Sequence, residues 1–103
     1  MKKIILFGAG FYGRNTYYKM KNQFEILCFV DNDVALEGIE VLGIPVISAA
    51  RLQEIKRPEI DIIICSKSYF SISAQLIVMG ITEYYVMMEG FLYNCSKTET
   101  MMP

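Results

Sequence analysis

Glycines at residues 8, 10 and 13 form a G-x-G-x-x-G pattern directly after a short apolar run, Lys3–Phe7. In such a loop Gly8 permits the tight turn at the end of a strand. Gly10 lets backbone N–H groups approach a diphosphate, and Gly13 lets the following helix pack closely. Unpaired N–H groups and the positive end of a helix dipole also favour an anion there. The pattern predicts a nucleotide ligand, either NAD or a nucleotide-sugar, and by itself no reaction.

Polar residues in two other loops are candidates for contacting the same ligand. Asp31 directly follows the second apolar run. In dinucleotide-binding domains an acidic residue ~20 residues beyond the glycine loop binds the ribose, and Asp31 lies at about that spacing. Its carboxylate would accept hydrogen bonds from a ribose diol and repel a 2′-phosphate, which favours NAD over NADP. We therefore assign ligand binding to the three glycines and to Phe11, Tyr12, Arg14, Asp31, Asn32, Asp33, Ser66, Lys67 and Tyr69.

Each of these patterns also has an alternative explanation. A glycine loop can serve packing alone in a domain that has lost its ligand. The run Asp31–Asp33 is also typical of a turn, and it lacks the further ligands and the spaced glutamate of a calcium loop, so no metal site is predicted. Arg14 could equally be a solvated surface residue, and Ser66 or Ser68 could cap the following helix.

Composition limits the chemistry and the partners of the chain. Its 103 residues carry a net charge of -1 and no histidine, and the three cysteines show no C-x-x-C spacing. We therefore expect no disulfide, no zinc site, no histidine-dependent catalysis and no nucleic-acid partner. No apolar stretch approaches the ~20 residues of a membrane span. The run Ile4–Phe7 is too short for a secretory signal, so we expect a cytoplasmic protein.

Apolar side chains make up an unusually large share of the chain, 53%. This share favours either a sheet covered on both faces or an apolar surface that awaits a partner. Aromatic and methionine residues gather around the last predicted strand, at Tyr84, Tyr85, Met87, Met88, Phe91 and Tyr93. They predict core and edge cover, or an association surface for a homodimer or a covalently linked domain.

The elements that must position these residues alternate between strand and helix. Apolar runs predict five strands, at Lys3–Phe7, Glu25–Val30, Ile44–Ile47, Ile60–Cys65 and Glu83–Met88. Helices are predicted from Phe11 to Lys21, from an N-cap at Ser48 through Ile55, and from Tyr69 to Met79. Pro45 predicts that the third strand lies at an edge. The pattern indicates an α/β three-layer fold with a five-stranded parallel sheet of order 3-2-1-4-5, whose carboxyl edge gathers the three loops.

Three motifs in series resemble those of a known type of domain. They are Ile-Leu-Phe-Gly-Ala-Gly-x-x-Gly-Arg, Phe-Val-Asp-Asn-Asp and Gly-x-x-Val-x-Gly-x-Pro-Val-x-Ser. The chain from about Lys2 to Tyr93 resembles the Rossmann-like N-terminal domain of CapD-type nucleotide-sugar dehydratases and PglD-type sugar acyltransferases. Similar modules are attached to bacterial glycosyltransferases and FkbM-type methyltransferases.

The resemblance implies a division of labour between binding and chemistry. In the PglD-type proteins the matching residues hold the nucleotide part of a UDP-sugar, which carries over to Gly8, Gly10, Gly13, Asp31 and Asn32. Catalysis in these relatives belongs to a separate domain, either a left-handed β-helix that uses a histidine for acyl transfer or a second, complete dehydrogenase fold, and this sequence has neither. No catalytic residue is therefore assigned.

These inferences predict a domain over residues 1–93 and a polar tail or linker over residues 94–103. We expect a module that binds NAD or a UDP- or CDP-linked sugar in bacterial surface-polysaccharide biosynthesis and works with a separate catalytic domain. Two alternatives stay open. One is a protein-interaction domain that kept the fold and lost its ligand, favoured if Phe11 and Tyr12 fill the cofactor space. The other is a fragment of an NAD-dependent oxidoreductase or of a sugar-nucleotide dehydratase or epimerase.

Overall fold

The computed structural model describes residues 1–95, which form one mixed sheet with helices on both faces. The strands are β1 (Lys2–Phe7), β2 (Phe24–Val30), β3 (Glu40–Val41), β4 (Ile44–Ile47), β5 (Asp61–Ile64), β6 (Tyr85–Met88) and β7 (Phe91–Asn94). The helices are α1 (Phe11–Met20), α2 (Ala49–Ile55) and α3 (Tyr69–Val78), with a short 3₁₀ helix at Val34–Leu36. The predicted alternation of strands and helices is confirmed, and each of these three α-helices lies within a residue of its predicted bounds.

The sheet has seven strands in the order β3-β4-β2-β1-β5-β6-β7. Its five inner strands run parallel to one another. The wholly parallel five-stranded sheet predicted from the sequence is therefore wrong at both ends, because β3 pairs antiparallel with β4 and β7 pairs antiparallel with β6. Each added strand is the second arm of a short hairpin that lies on an edge of the parallel core.

The strand β4 is consequently not the edge strand that its proline suggested. Glu40 of β3 lies opposite Pro45. The ladder tolerates the missing N–H of Pro45 because the next residue makes the bonds: Val46 donates to the Ile39 carbonyl at 2.9 Å and accepts from the Gly38 N–H at 3.0 Å.

Both hairpins turn through two residues with positive φ. Leu42 and Gly43 have φ of 56° and 77°, and Glu89 and Gly90 have φ of 51° and 83°. Positive φ at both central residues defines the type I′ turn, whose twist matches that of the two strands it joins. The first central residue of each turn is unusual, because leucine and glutamate adopt this conformation at a cost that asparagine or glycine avoids.

The core consists of two layers, one on each face of the sheet. Side chains alternate along β1, so that Ile4 and Leu6 point to one face and Ile5 and Phe7 to the other, and all four are at most 1% exposed. Helix α1 covers the first face, through Met20, and helices α2 and α3 cover the second. This burial of both faces explains the continuous apolar runs of the parallel strands.

Strand β7 extends one residue beyond the predicted domain boundary, to Asn94. The boundary itself stays a prediction, and residues 96–103 of the tail predicted over residues 94–103 lie outside the residues that the structure describes. Within residues 1–95 no helix has both the length and the apolar character needed to cross a bilayer.

Candidate functional site

The glycine loop lies between the carboxyl end of β1 and the start of α1, and two of its glycines are required by packing. Gly8 has φ of +124°, and a Cβ there would overlap the backbone carbonyl oxygen of Cys65. Its N–H donates to the Val30 carbonyl at 2.7 Å, which joins the ends of β1 and β2. A Cβ on Gly13 would overlap the carbonyl oxygen of Gly8 and lie 2.7 Å from its carbon. The first turn of α1 therefore rests directly on the loop.

Gly10 differs from the other two glycines of the loop. Its φ is -86°, and a Cβ built on it meets no atom within 4 Å. Packing within residues 1–95 therefore does not explain the glycine, whereas the close approach of a ligand to the backbone would. Gly10 is also exposed and occupies the N-cap position of α1.

Backbone N–H groups at the start of α1 have no acceptor within residues 1–95. The first intrahelical bond runs from the Arg14 N–H to the Gly10 carbonyl at 2.9 Å, and no acceptor within residues 1–95 contacts the N–H groups of residues 10–13. The first turn contains no acidic residue, and Arg14 is exposed there. The unpaired N–H groups and the positive end of the helix dipole suit a diphosphate.

Asp31 lies at the end of β2, and its carboxylate organises two loops. One oxygen accepts from the Ala9 N–H at 2.8 Å, and the other accepts from the Asp33 N–H at 2.8 Å. The carboxylate, expected from the sequence to receive a ribose diol, thus already fixes the loop between Gly8 and Gly10. It keeps unused lone pairs, because a carboxylate offers about four acceptor positions.

The other two residues of this acidic run contact different parts of the structure. Asp33 accepts from the Ala35 N–H at 3.0 Å and caps the short 3₁₀ helix. Asn32 forms a reciprocal pair with Gln75 of α3, with amide N···O distances of 2.9 and 3.1 Å. Sequence reasoning missed Gln75, because no local pattern indicates a partner 43 residues away.

A polar cleft of about 250 Å³ lies beneath this amide pair, at the carboxyl ends of β1, β2 and β5. Four of the residues assigned from the sequence line it: Gly8, Asp31, Asn32 and Ser66. Ser68, Ser71, Ile72 and Phe7 complete the lining and were not assigned to ligand binding. The side chain of Ser66 accepts from the Ser68 N–H at 3.0 Å and so stabilises the loop before α3. The predicted capping of α3 by a serine side chain is wrong, because Ser68 occupies the N-cap position without a side-chain capping bond and Ser66 bonds only the loop before it.

The remaining assigned residues lie around the loop rather than in the cleft. The ammonium group of Lys67 lies 5.9 Å from the centre of the Tyr12 ring, so it reaches across to the start of α1. Tyr69 is half-buried, with its ring 4.6 Å from that of Phe70. Phe11 and Tyr12 pack edge to face at 5.4 Å and line a separate groove on the α1 face of the sheet. Their rings therefore do not fill the polar cleft. The ligand-free alternative, which filled space would favour, gains no support from these two side chains.

The structure provides little for nucleophilic or metal chemistry in the part of the chain that it describes. Burial raises the pKa of Cys28 to about 11 and that of Cys65 to about 12, so both thiols stay protonated at neutral pH. No cluster of three or more cysteine, aspartate or glutamate side chains within residues 1–95 could hold a metal ion. The unpaired N–H groups of the loop and the polar side chains of the cleft are groups that can bind an anion and polar groups beside it.

The sheet order, the glycine loop and the polar cleft at the strand ends define a Rossmann-like α/β domain. Residues 1–87 match the sequence family described as C2185-like, N-terminal, and the chain belongs to that family. No curated protein matches the chain.

Solved structures share the fold at low sequence identity. UDP-D-quinovosamine 4-dehydrogenase from Vibrio fischeri is similar with a TM-score of 0.74 and 18% identity over 98% of both chains. RSP, a Rex-family repressor, is similar with a TM-score of 0.64 and 24% identity over 85% of this chain and 46% of the repressor. RSP in complex with β-NADH gives a TM-score of 0.64 and 21% identity over 86% of this chain and 47% of the repressor. At these identities the likeness establishes the fold alone.

Proposed function

We propose that this domain is a recognition module for a ligand with a nucleoside and a diphosphate, either NAD or a UDP- or CDP-linked sugar. The observation that carries the proposal is Gly10, an exposed glycine beside N–H groups that no acceptor within residues 1–95 contacts. A diphosphate on these N–H groups would place the attached nucleoside beside Asp31 and the polar cleft.

The division of labour implied by the sequence resemblance is part of this proposal. The site offers binding groups and no activated nucleophile, so the reaction would be performed by a separate catalytic domain in bacterial surface-polysaccharide biosynthesis. The structural neighbours include a UDP-D-quinovosamine 4-dehydrogenase and a repressor in complex with β-NADH, which supports a nucleotide ligand. In open α/β sheets ligands bind at the carboxyl ends of the strands, where this site lies.

Calorimetric titration with NAD, NADP, UDP-glucose and CDP-glucose tests this proposal. The wild-type domain should bind at least one of the four, and Gly10→Ala should weaken that binding at least ~10-fold, because the new methyl group occupies the space of the diphosphate. Gly10→Ala is a sharper variant than Asp31→Ala, because the Asp31 carboxylate also holds the loop in place. If none of the four ligands binds the folded wild-type domain, the proposal is wrong.

A second candidate function is a protein-interaction module. Exposed apolar side chains favour it: Phe11, Phe70 and Phe91 are 65%, 77% and 67% exposed. Against it stands the open cleft, which the rings of Phe11 and Tyr12 do not line. A stable dimer in sedimentation experiments, together with no nucleotide binding, would favour this second candidate.

A further inference from the structure

A second concave surface lies on the other side of the start of α1 from the polar cleft. This aromatic groove has a volume of about 430 Å³, and its apolar walls are Phe11, Tyr12, Tyr18 and Met87. Its polar rim consists of Asn15, Lys19 and Glu89. None of these rim residues was assigned to ligand binding from the sequence.

The groove exists because α1 alone covers its face of the sheet. Met87 of β6 points to this face and is half-buried, and Leu92, opposite Met87 on β7, is 42% exposed. The turn between these strands, at Glu89 and Gly90, forms the wall that faces α1. The groove is therefore a concave surface with apolar walls and a polar rim, which are the properties of sites that bind small molecules.

The groove is continuous with the candidate anion site. Phe11 and Tyr12 are the first two residues of α1, so the same residues supply unbonded N–H groups and aromatic walls. Lys67 adds a cation beside the Tyr12 ring. A diphosphate held at the start of α1 would therefore have the polar cleft on one side and the aromatic groove on the other.

The sizes of the two concavities indicate a ligand with two different parts. The cleft, at about 250 Å³, is below the range of ~300–1,000 Å³ that sites for whole small molecules occupy. It therefore suits one nucleoside rather than a complete dinucleotide or nucleotide-sugar. The larger groove is available for the group on the far side of the diphosphate.

The lining of the groove suits a hexose. A sugar ring presents C–H groups on its faces and hydroxyl groups around its edge. Flat aromatic rings can pack against the faces of the sugar. At its edge the Glu89 carboxylate can accept hydrogen bonds from hydroxyl groups, the Lys19 ammonium can donate them, and the Asn15 amide can do both. A nicotinamide ring carries a single carboxamide and no set of hydroxyl groups around its edge, so it would use fewer of these rim groups than a hexose.

We propose that the aromatic groove is the sugar subsite for a nucleoside diphosphate sugar whose nucleoside lies in the polar cleft. This inference rests on the proposed function and selects nucleotide-sugars over NAD as its ligands. The sugar subsite also makes Phe11 a specificity-determining residue.

Calorimetry on matched ligand pairs separates the sugar subsite from the nucleotide site. UDP is compared with UDP-glucose, and CDP with CDP-glucose, on the wild-type domain, Phe11→Ala and Tyr18→Ala. We expect the hexose to increase affinity, and each substitution to reduce that increase by about two- to tenfold. Tyr18→Ala, whose side chain lies away from the anion site, should leave UDP or CDP affinity unchanged. Phe70→Ala is the matched control, because Phe70 is an equally exposed phenylalanine that does not line the groove. Thermal melts confirm that each variant folds.

Each other outcome overturns the inference in a distinct way. If the nucleotides bind and the hexose adds nothing, or if neither groove variant changes the hexose effect, the subsite is wrong and the proposed function stands. If NAD alone binds and Phe11→Ala weakens it, the groove takes the nicotinamide half. If Phe11→Ala dissociates a dimer in sedimentation experiments without changing the hexose effect, the groove is a protein interface. If no nucleotide binds at all, both proposals fail.

Discussion

Replacing Gly13 by alanine should destabilise the domain although alanine is the better helix former. Alanine in a helix interior is favoured over glycine by about 1 kcal/mol. The new Cβ, however, would overlap the Gly8 carbonyl, a backbone group that cannot rotate away, and would contact the Phe29 ring at 3.5 Å. Overpacking of this kind costs about 3 kcal/mol. We expect a net loss of about 2 kcal/mol.

Thermal unfolding measures this loss directly. In a domain of this size about 2 kcal/mol corresponds to a decrease in Tm of ~8–16 °C. Gly10→Ala is the matched control, because it adds the same methyl group to the same loop where nothing lies within 4 Å. Its Tm should fall by no more than ~5 °C, the cost of a less favourable N-cap residue.

Equal Tm values for the two variants would refute the steric argument for Gly13. A Tm of Gly13→Ala equal to that of Gly10→Ala, or above that of the wild type, would mean that α1 does not rest on the Gly8 carbonyl. The close packing of α1 against the glycine loop, which holds the N–H groups of the candidate site in place, would then be wrong as well.

Three further changes test other parts of the structure. Asp31→Asn loses one charged acceptor for backbone N–H groups and should cost ~1–2 kcal/mol in urea unfolding; unchanged stability would contradict its organising role. Leu42→Asn places a residue suited to positive φ in the β3–β4 turn and should raise stability by ~0.5–1 kcal/mol, whereas a lower Tm would contradict the turn conformation. Burial raises the pKa of Cys28 from 9.0 to about 11, so stability from this thiol is complete below pH 9 and falls as the pH rises toward 11. Between pH 8 and pH 10 the free energy of unfolding should decrease by about 1 kcal/mol more in the wild type than in Cys28→Ala, and equal decreases would contradict the burial of this thiol.

The parallel part of the fold could be predicted because its signals are local. Each inner strand is a continuous apolar run, and the rules for crossover connections then order the strands. The two added strands carry weaker signals. Strand β3 has two residues, and all four residues of β7 are exposed, so neither shows an apolar alternation. Their turns contain Leu42 and Glu89 in place of the asparagine that normally indicates a type I′ turn.

In the candidate site, too, the features that depend on one local segment could be predicted, and those that depend on contacts between distant segments could not. The tasks of Gly8 and Gly13 follow from the backbone of one loop, and the structure confirms the tight turn and the close packing of the helix. The bond from Ala9 to Asp31 and the pair between Asn32 and Gln75 depend on how distant segments approach one another. No sequence pattern indicates such approaches, so only the structure reveals that Asp31 organises the loop.

The amide NMR signals of residues 10–13 test the central claim most directly, because the proposal assigns the diphosphate to these N–H groups. ¹⁵N-labelled wild-type domain is titrated with UDP-glucose, and the titration is repeated with Gly10→Ala. We predict saturable shifts of these amide signals in the wild type, with smaller shifts at Ser66 and Asp31 in the polar cleft, and a loss of saturation in the variant. Saturable shifts confined to other parts of the domain, with the signals of residues 10–13 unchanged, would contradict the assignment of this loop as the nucleotide site.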